Sequence, residues 1–197
     1  MTARGLWRQV ILLAMLVASC AVPAFAASAM REKTLGTFGA WRAYTYNEGG
    51  QTVCYMVTTK VVTSTGPKKR ATPYLMITHR PIEASTDVVS FGAGMRIDSK
   101  HGVAIHIGKS LFELFSVHDT AWARDARTDH KLAAAIKNTP TARIISFPEK
   151  KDTKEVVDQF DLSGSPAAYH AIGKACGLPD EMPRKPKPAA PLRAKHS

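Results

Sequence analysis

The sequence predicts a mainly β domain, an antiparallel β-sandwich or barrel-like fold that also carries about two short α-helices. Short runs rich in β-branched and aromatic residues recur through residues 35–178. Gly, Pro and Asn separate these runs, as turn residues do between the strands of an antiparallel sheet. Two later stretches instead show helical spacing with signals for a helix start and a helix end.

Eight strands are expected from the alternation of apolar and polar residues. They are Trp41–Tyr46, Val53–Val62, Tyr74–Arg80, Val88–Phe91, Val103–Ile107, Leu111–Ser116, Arg143–Phe147 and Lys154–Leu162. Gly108-Lys109 is expected to form a two-residue hairpin turn, with Gly at its first central position. In the last strand Asp158 shares a face with apolar residues, so one polar side chain interrupts that face.

The first helix is expected at Asp129–Asn138, with Asp129 in its first turn and an apolar stripe that includes Leu132 and Ile136. The second begins at Ser165 as N-cap, with a proline in the first helical position. It ends at Gly177, which can adopt the left-handed closing conformation.

The N-terminus carries the features of an export signal. Arg4 and Arg8 precede the apolar stretch Val10–Ser19, and an A-x-A cleavage signal ends at Ala26. This stretch is too short to span a bilayer, which takes about 20 residues, so residues 1–26 are expected to be a signal peptide. Cys20 ends a "VASC" motif that resembles a lipobox, which leaves a lipid anchor at Cys20 as an alternative.

Two of the three cysteines remain after ordinary cleavage, Cys54 and Cys176. In an oxidising compartment such an even pair is typical of a disulfide. Cys176 also falls on the apolar face of the second helix, where it could meet Cys54 on its strand.

The charge balance favours anionic partners. Cleavage removes two arginines and no acid, so the net charge falls from +11 to +9. Lipid headgroups and acidic glycans are then the expected partner classes, and no nucleic acid is expected outside the cytoplasm. Residues 179–197 hold five prolines and five basic residues and are expected to form a disordered tail. The candidate contacts to an anionic surface are Lys68, Lys69, Arg70, Arg80, Arg184, Lys185 and Lys187.

The run "FSVHDTAWARDARTDHK" groups acids and histidines in the manner of a metal or acid–base site. Asp129 and His130 fall at a helix start, where a carboxylate satisfies free N–H groups, and His118-Asp119 suits a turn after a strand. The spacing matches no common zinc site. The structural interpretation is therefore favoured, and no metal site is predicted.

The sequence has no G-x-S-x-G, no H-E-x-x-H and no C-x-x-C, and "GKS" lacks the first glycine of a phosphate-binding loop. No catalytic residue and no cofactor are predicted. A hydrolase that uses His79, Asp119 or His130 remains the weakest alternative, since it requires those side chains to converge in one pocket.

Five segments in this order carry a resemblance to a known family: "CYMVTT", "YLMITHRP", "VVSFGAG", "FELFSVHDTAWARDARTDHKLAAAIKN" and "DQFDLSGSPAAYHAIGKAC". Together they resemble the invasion-associated locus B family of exported alphaproteobacterial proteins, over about Trp41 to Cys176. The resemblance implies a small, mainly β protein of the periplasm or outer membrane that is linked, in pathogenic members, with entry into host cells. It implies no catalytic residues.

These observations lead to the expectation of a non-enzymatic envelope protein that acts through binding surfaces on an unidentified, anionic envelope or host component. A housekeeping periplasmic module that stabilises another envelope protein is the alternative.

Overall fold

The computed structural model describes residues 31–149 and 154–179. The described residues form eleven strands, two α-helices and one 3₁₀ turn at Pro81–Glu83. The elements are β1 (Lys33–Phe38), β2 (Trp41–Glu48), β3 (Gln51–Thr58), β4 (Val61–Ser64), β5 (Tyr74–Arg80), β6 (Ser85–Gly92), β7 (Val103–Ile107), β8 (Ser110–Val117), β9 (Thr120–Trp122), α1 (Ala126–Asn138), β10 (Thr141–Ser146), β11 (Val156–Asp161) and α2 (Ser165–Ala175). None of the helices in this part of the chain is long and apolar enough to cross a membrane.

All the strands belong to one antiparallel sheet in the order β1-β2-β3-β5-β6-β9-β8-β7-β10-β11-β4. Only Thr59 and Lys60 separate β3 from β4, yet β4 lies at the far end of this order and pairs with β11. The sheet must therefore curl back on itself, which confirms the mainly β, barrel-like fold. The single strand expected at Val53–Val62 is instead divided by a bend into two strands. The first, β3, is third in the strand order, and the second, β4, is last.

The core lies inside this curled sheet and beneath the two helices. Phe91 of β6 meets Phe160 of β11 edge to face, with ring centroids 6.1 Å apart. Helix α1 packs mainly on β6, and α2 packs on β1, β2 and β3. Leu132 and Ile136 of α1 and Ile172 of α2 are fully buried, as the helical spacing requires.

Helix α1 starts one turn earlier than expected. Its N-cap is Asp125, whose Oδ1 accepts a hydrogen bond from the Thr128 N–H at 2.9 Å. The start expected at Asp129 is therefore wrong by three residues, although Asp129 does lie in the first turn of the helix as expected. The Asp129 carboxylate is buried instead and accepts a hydrogen bond from the Val89 N–H of β6 at 2.9 Å.

Helix α2 begins at Ser165, but its N-cap is Gly164 and not Ser165. Gly164 has φ +83°, and a Cβ there would lie 2.1 Å from the carbonyl oxygen of Phe38. Only glycine fits this close approach. Ser165 instead donates its hydroxyl to the carbonyl of Ile136 at 2.9 Å, and Gly177 closes the helix at φ +66° as expected.

A disulfide joins Cys54 of β3 to Cys176 at the end of α2, with their Cα atoms 5.9 Å apart. The bond spans 122 positions of the sequence. It fixes α2 to the sheet and confirms the pairing expected from the sequence.

Candidate functional site

The acids and histidines of residues 115–131 do not form one site. His118, with φ +57°, and Asp119 form the turn between β8 and β9, and Asp119 accepts a hydrogen bond from the Thr120 hydroxyl at 3.2 Å. Asp125 caps α1, and Asp129 binds the backbone of β6. This distribution agrees with the structural interpretation of the run.

His130 and His79 nevertheless both contact one residue, Asp87 of β6. His130 Nδ1 lies 2.6 Å from Asp87 Oδ2, and the Tyr169 hydroxyl donates to Asp87 Oδ1 at 2.5 Å. His79 Nδ1 accepts a hydrogen bond from the Asp87 backbone N–H at 3.1 Å, and its ring lies edge-on to Tyr169 at 5.3 Å. We call His79, Asp87, His130 and Tyr169 the Asp87 cluster.

Burial controls the electrostatics around the Asp87 cluster. Desolvation lowers the pKa of His79, with the Lys137 and His130 charges acting in the same direction and the Asp87 carboxylate opposing them. Desolvation likewise raises the pKa of Asp129, which the Val89 N–H partly offsets. Both buried groups therefore favour their neutral forms.

The Asp87 cluster fastens both helices to the sheet, since its members come from β5, β6, α1 and α2. His79 is fully buried, whereas about half of the His130 side chain is exposed. A hydrolase that uses His79, Asp119 and His130 requires the three side chains to meet in one pocket. Because Asp119 lies in the β8–β9 turn, they do not meet. Within the described residues, no three His, Cys, Asp or Glu side chains are grouped as a metal ion would require.

Sequence reasoning missed Asp87. It follows the 3₁₀ turn in a stretch with no motif, and its positive φ of +62° is not visible in the sequence. An acid in the left-handed region is uncommon and points to a constrained position. The one available signal was a charged residue inside an otherwise strand-like run.

The basic residues proposed to contact an anionic surface fall into three groups in the part of the chain that the structure describes. Lys68 and Lys69 are exposed in the loop between β4 and β5. Arg70 is only 7% exposed and is bonded to the buried Asp158, so we remove it from the candidate surface. Arg80 is ion-paired with Glu48 and with Glu83, the latter at 3.4 Å.

The other predicted residues of this kind lie outside the described residues. They are Arg184, Lys185 and Lys187 of the tail. Cys20 and the rest of the signal segment also lie outside the described residues.

A groove of about 680 Å³ lies on the outer face of the sheet, across β2, β3, β5, β6 and β9. We call it the outer groove. Its walls include Tyr46, Tyr55 and Trp122, and Met76 and Val88 line it between them. Trp41 is a core residue, whereas Trp122 is half-buried and lines this groove.

Comparison with known proteins gives a family match and a fold match. The family model described as "Invasion associated locus B (IalB) protein" matches residues 41–173. A crystal structure of invasion associated protein B from Bartonella henselae has a similar fold, with a TM-score of 0.52 and 18% sequence identity. The similarity covers 72% of this chain and 96% of that chain. None of the curated proteins matches the sequence.

Proposed function

This chain belongs to the invasion associated locus B family, and from that membership we propose that it is an exported protein of the periplasm or outer membrane. It works by binding and not by catalysis. Its partner is an anionic component of the envelope or, in a pathogenic source, of a host surface.

Two features support export. The first is the arginine-flanked apolar segment with an A-x-A signal at residues 1–26. The second is the disulfide between Cys54 and Cys176, since such bonds persist in oxidising compartments and are rare in the cytosol. The Cys20 alternative would leave the exported chain tethered to a membrane.

The observation that supports a surface for anionic partners is the pair of adjacent, exposed lysines Lys68 and Lys69. They belong to a chain whose net charge after cleavage is +9. The basic residues of the tail extend the positive charge in the sequence. Each lysine near an anionic lipid surface contributes about 1 kcal/mol at moderate ionic strength.

Sedimentation with lipid vesicles tests this surface. The mature chain starting at Ala27 is mixed with phosphatidylcholine vesicles that contain phosphatidylglycerol, and with vesicles of phosphatidylcholine alone. We expect binding to the anionic vesicles only, weakened about 30-fold when Lys68 and Lys69 both become Ala.

A matched control variant distinguishes binding through Lys68 and Lys69 from an effect of net charge alone. Lys100→Ala with Lys109→Ala removes the same two charges from exposed turns elsewhere on the protein. This control should retain binding close to that of the wild type. An equal loss in both double variants, or equal binding to neutral vesicles, would contradict the proposed surface.

A further inference from the structure

We propose that the outer groove is a second binding site, for a neutral saccharide chain. It is distinct from the surface of Lys68 and Lys69, and its ligand class differs from the anionic partner proposed above. The groove combines aromatic walls, an unpaired hydroxyl in its lining and a surround in which carboxylates outnumber the one arginine.

The aromatic walls follow from strand register. Tyr44 of β2 lies opposite Tyr55 of β3, and their rings stack at 5.1 Å with an interplanar angle of 21°. Tyr46 lies edge-on to Tyr55 at 6.2 Å, which fixes the Tyr55 ring from a second side. On the other side of the groove Trp122 packs against Phe115 at 6.0 Å. Rigid aromatic rings of this kind offer large contact area at low entropic cost, and the C–H faces of a pyranose ring pack on such surfaces.

Ser90 supplies an unpaired polar group in the lining. It lies opposite Trp122 in the β6–β9 pair and opposite Met76 in the β5–β6 pair. It is 4% exposed, and its hydroxyl has no hydrogen-bond partner among the described residues. Buried hydroxyls in native proteins are almost always bonded, so the Ser90 hydroxyl has an unused hydrogen-bonding capacity that a ligand group or a water could complete.

The charges beside the groove are acidic on balance, with one arginine against three carboxylates. Arg80 pairs with Glu48 and Glu83 and also contacts the Tyr46 hydroxyl at 3.3 Å. The Tyr55 hydroxyl donates to Glu32. An anionic ligand would be repelled by the excess of carboxylates, and a cationic ligand would have to compete with Arg80 for them. Neutral hydroxyls could bond to the outer oxygen and nitrogen atoms of these groups without either cost.

The same features disfavour an acyl chain or an apolar peptide. Thr78, Ser85 and Ser90 place hydroxyl groups in the lining beside Met76 and Val88. A wholly apolar ligand would leave those hydroxyls without partners, which costs free energy. A ligand with alternating hydroxyl groups and C–H faces satisfies both kinds of surface.

Titration of the mature chain with neutral tetrasaccharides of glucose, mannose and N-acetylglucosamine tests the proposal. Calorimetry measures affinity, and tryptophan fluorescence reports on Trp122, with the buried Trp41 as the only other tryptophan after cleavage. We expect at least one tetrasaccharide to bind and to change the Trp122 emission, and 0.5 M salt should leave this affinity unchanged.

Matched variants locate the site. Trp122→Ala and Tyr55→Ala should each weaken binding about tenfold or more, whereas Tyr55→Phe keeps the ring and should retain most of the affinity. Ser90→Ala removes a hydroxyl that bonds to nothing in the described protein, so it should fold normally and still lose about threefold or more. The Lys68→Ala, Lys69→Ala double variant should bind saccharide like the wild type.

Three results would overturn the assignment. The first is no binding of any of the three tetrasaccharides. The second is binding that survives Trp122→Ala and Tyr55→Ala in variants that keep the wild-type circular dichroism. The third is Trp122-dependent binding of an apolar peptide in place of the saccharides. Because vesicle binding uses other residues, these results leave the proposed binding of anionic partners through Lys68 and Lys69 unaffected.

Discussion

Arg70 and Asp158 form an ion pair inside the protein, at the point where the sheet closes. Arg70 Nη1 donates to Asp158 Oδ2 at 2.9 Å and to the Ala93 carbonyl at 3.0 Å, while Nη2 contacts Asp158 Oδ1 and the Ser64 hydroxyl. Asp158 is fully buried. One guanidinium therefore ties the loop after β4 to β11 and to the end of β6.

Removing one member of this pair should destabilise the fold strongly. Arg70→Ala leaves the Asp158 carboxylate buried without its counter-charge, and breaking a buried pair in this way costs about 3–5 kcal/mol. Urea unfolding measures the loss.

The double variant Arg70→Met, Asp158→Leu is the control, since replacing both members by apolar groups is often neutral. It should recover most of the lost stability. A cost below about 1 kcal/mol for Arg70→Ala would show that water reaches the pair and that the closure depends on other contacts.

The disulfide should contribute much of the stability. The loop it closes spans 122 positions, for which chain entropy gives about 4–5 kcal/mol. Replacing Cys54 and Cys176 together by Ala should lower the free energy of unfolding by up to that amount. A reductant should lower the free energy of unfolding of the wild type by the same amount. It should leave the double variant unaffected. A reductant that does not alter wild-type unfolding would contradict this role.

Stability should fall as the solution is acidified below neutral pH, in part because of His79. Its pKa is lowered in the folded state, so the folded protein holds the neutral ring while the unfolded chain takes up a proton near pH 6.5. Stability from this group is present above pH 6.5 and falls with each pH unit below it, by at most about 1.4 kcal/mol per unit, until the folded-state pKa is reached.

His79→Asn separates this effect from that of the other groups of the cluster. The Asn side-chain oxygen can replace Nδ1 as acceptor for the Asp87 N–H, but it does not titrate. Asp87, His130, Lys137 and Tyr169 remain around it. The variant should unfold with a flatter pH dependence between pH 7 and 5 than the wild type. An unchanged slope would assign the acid sensitivity to another group.

Asp129 should tolerate Asn better than Ala. Asn keeps an oxygen acceptor for the Val89 N–H and removes a buried charge whose pKa burial has raised. Because the folded state favours the protonated acid, this charge costs stability as the pH rises through the ordinary Asp range near 3.9 to the raised pKa. Asp129→Asn should therefore be neutral or stabilising at pH 7.

Asp129→Ala should instead cost about 1–3 kcal/mol, since it leaves a buried N–H without a partner. Thermal unfolding at pH 7 compares the two variants. Equal losses would show that the charge, and not the hydrogen bond, is what the position requires.

Local patterns predicted the elements that local forces determine. Tyr74–Arg80 and Val103–Ile107 match β5 and β7 in full, and Gly108-Lys109 forms the expected hairpin turn. Strand β1 lacks a continuous apolar alternation and β9 has only three residues, so neither was expected. The bend after Thr58 was also missed, because it arises from closure of the sheet and leaves no turn residue in the sequence.

The candidate sites were harder to predict from the sequence than the strands. The Asp87 cluster draws on β5, β6, α1 and α2, and the outer groove draws on five strands whose pairing order is not their chain order. Gly164 shows the same limit at a single residue, since the need for glycine there depends on the close approach of Phe38 at the end of β1. Ser165 had the stronger local signal and was assigned the cap in its place.

Export is the claim on which both proposed surfaces depend, and the intact mass of the protein from its native envelope tests it most directly. We predict a chain that begins at Ala27, or at an acylated Cys20 if it is tethered, and that gains about two protons on reduction as Cys54 and Cys176 separate. A full-length chain beginning at Met1, with no change in mass on reduction, would contradict export.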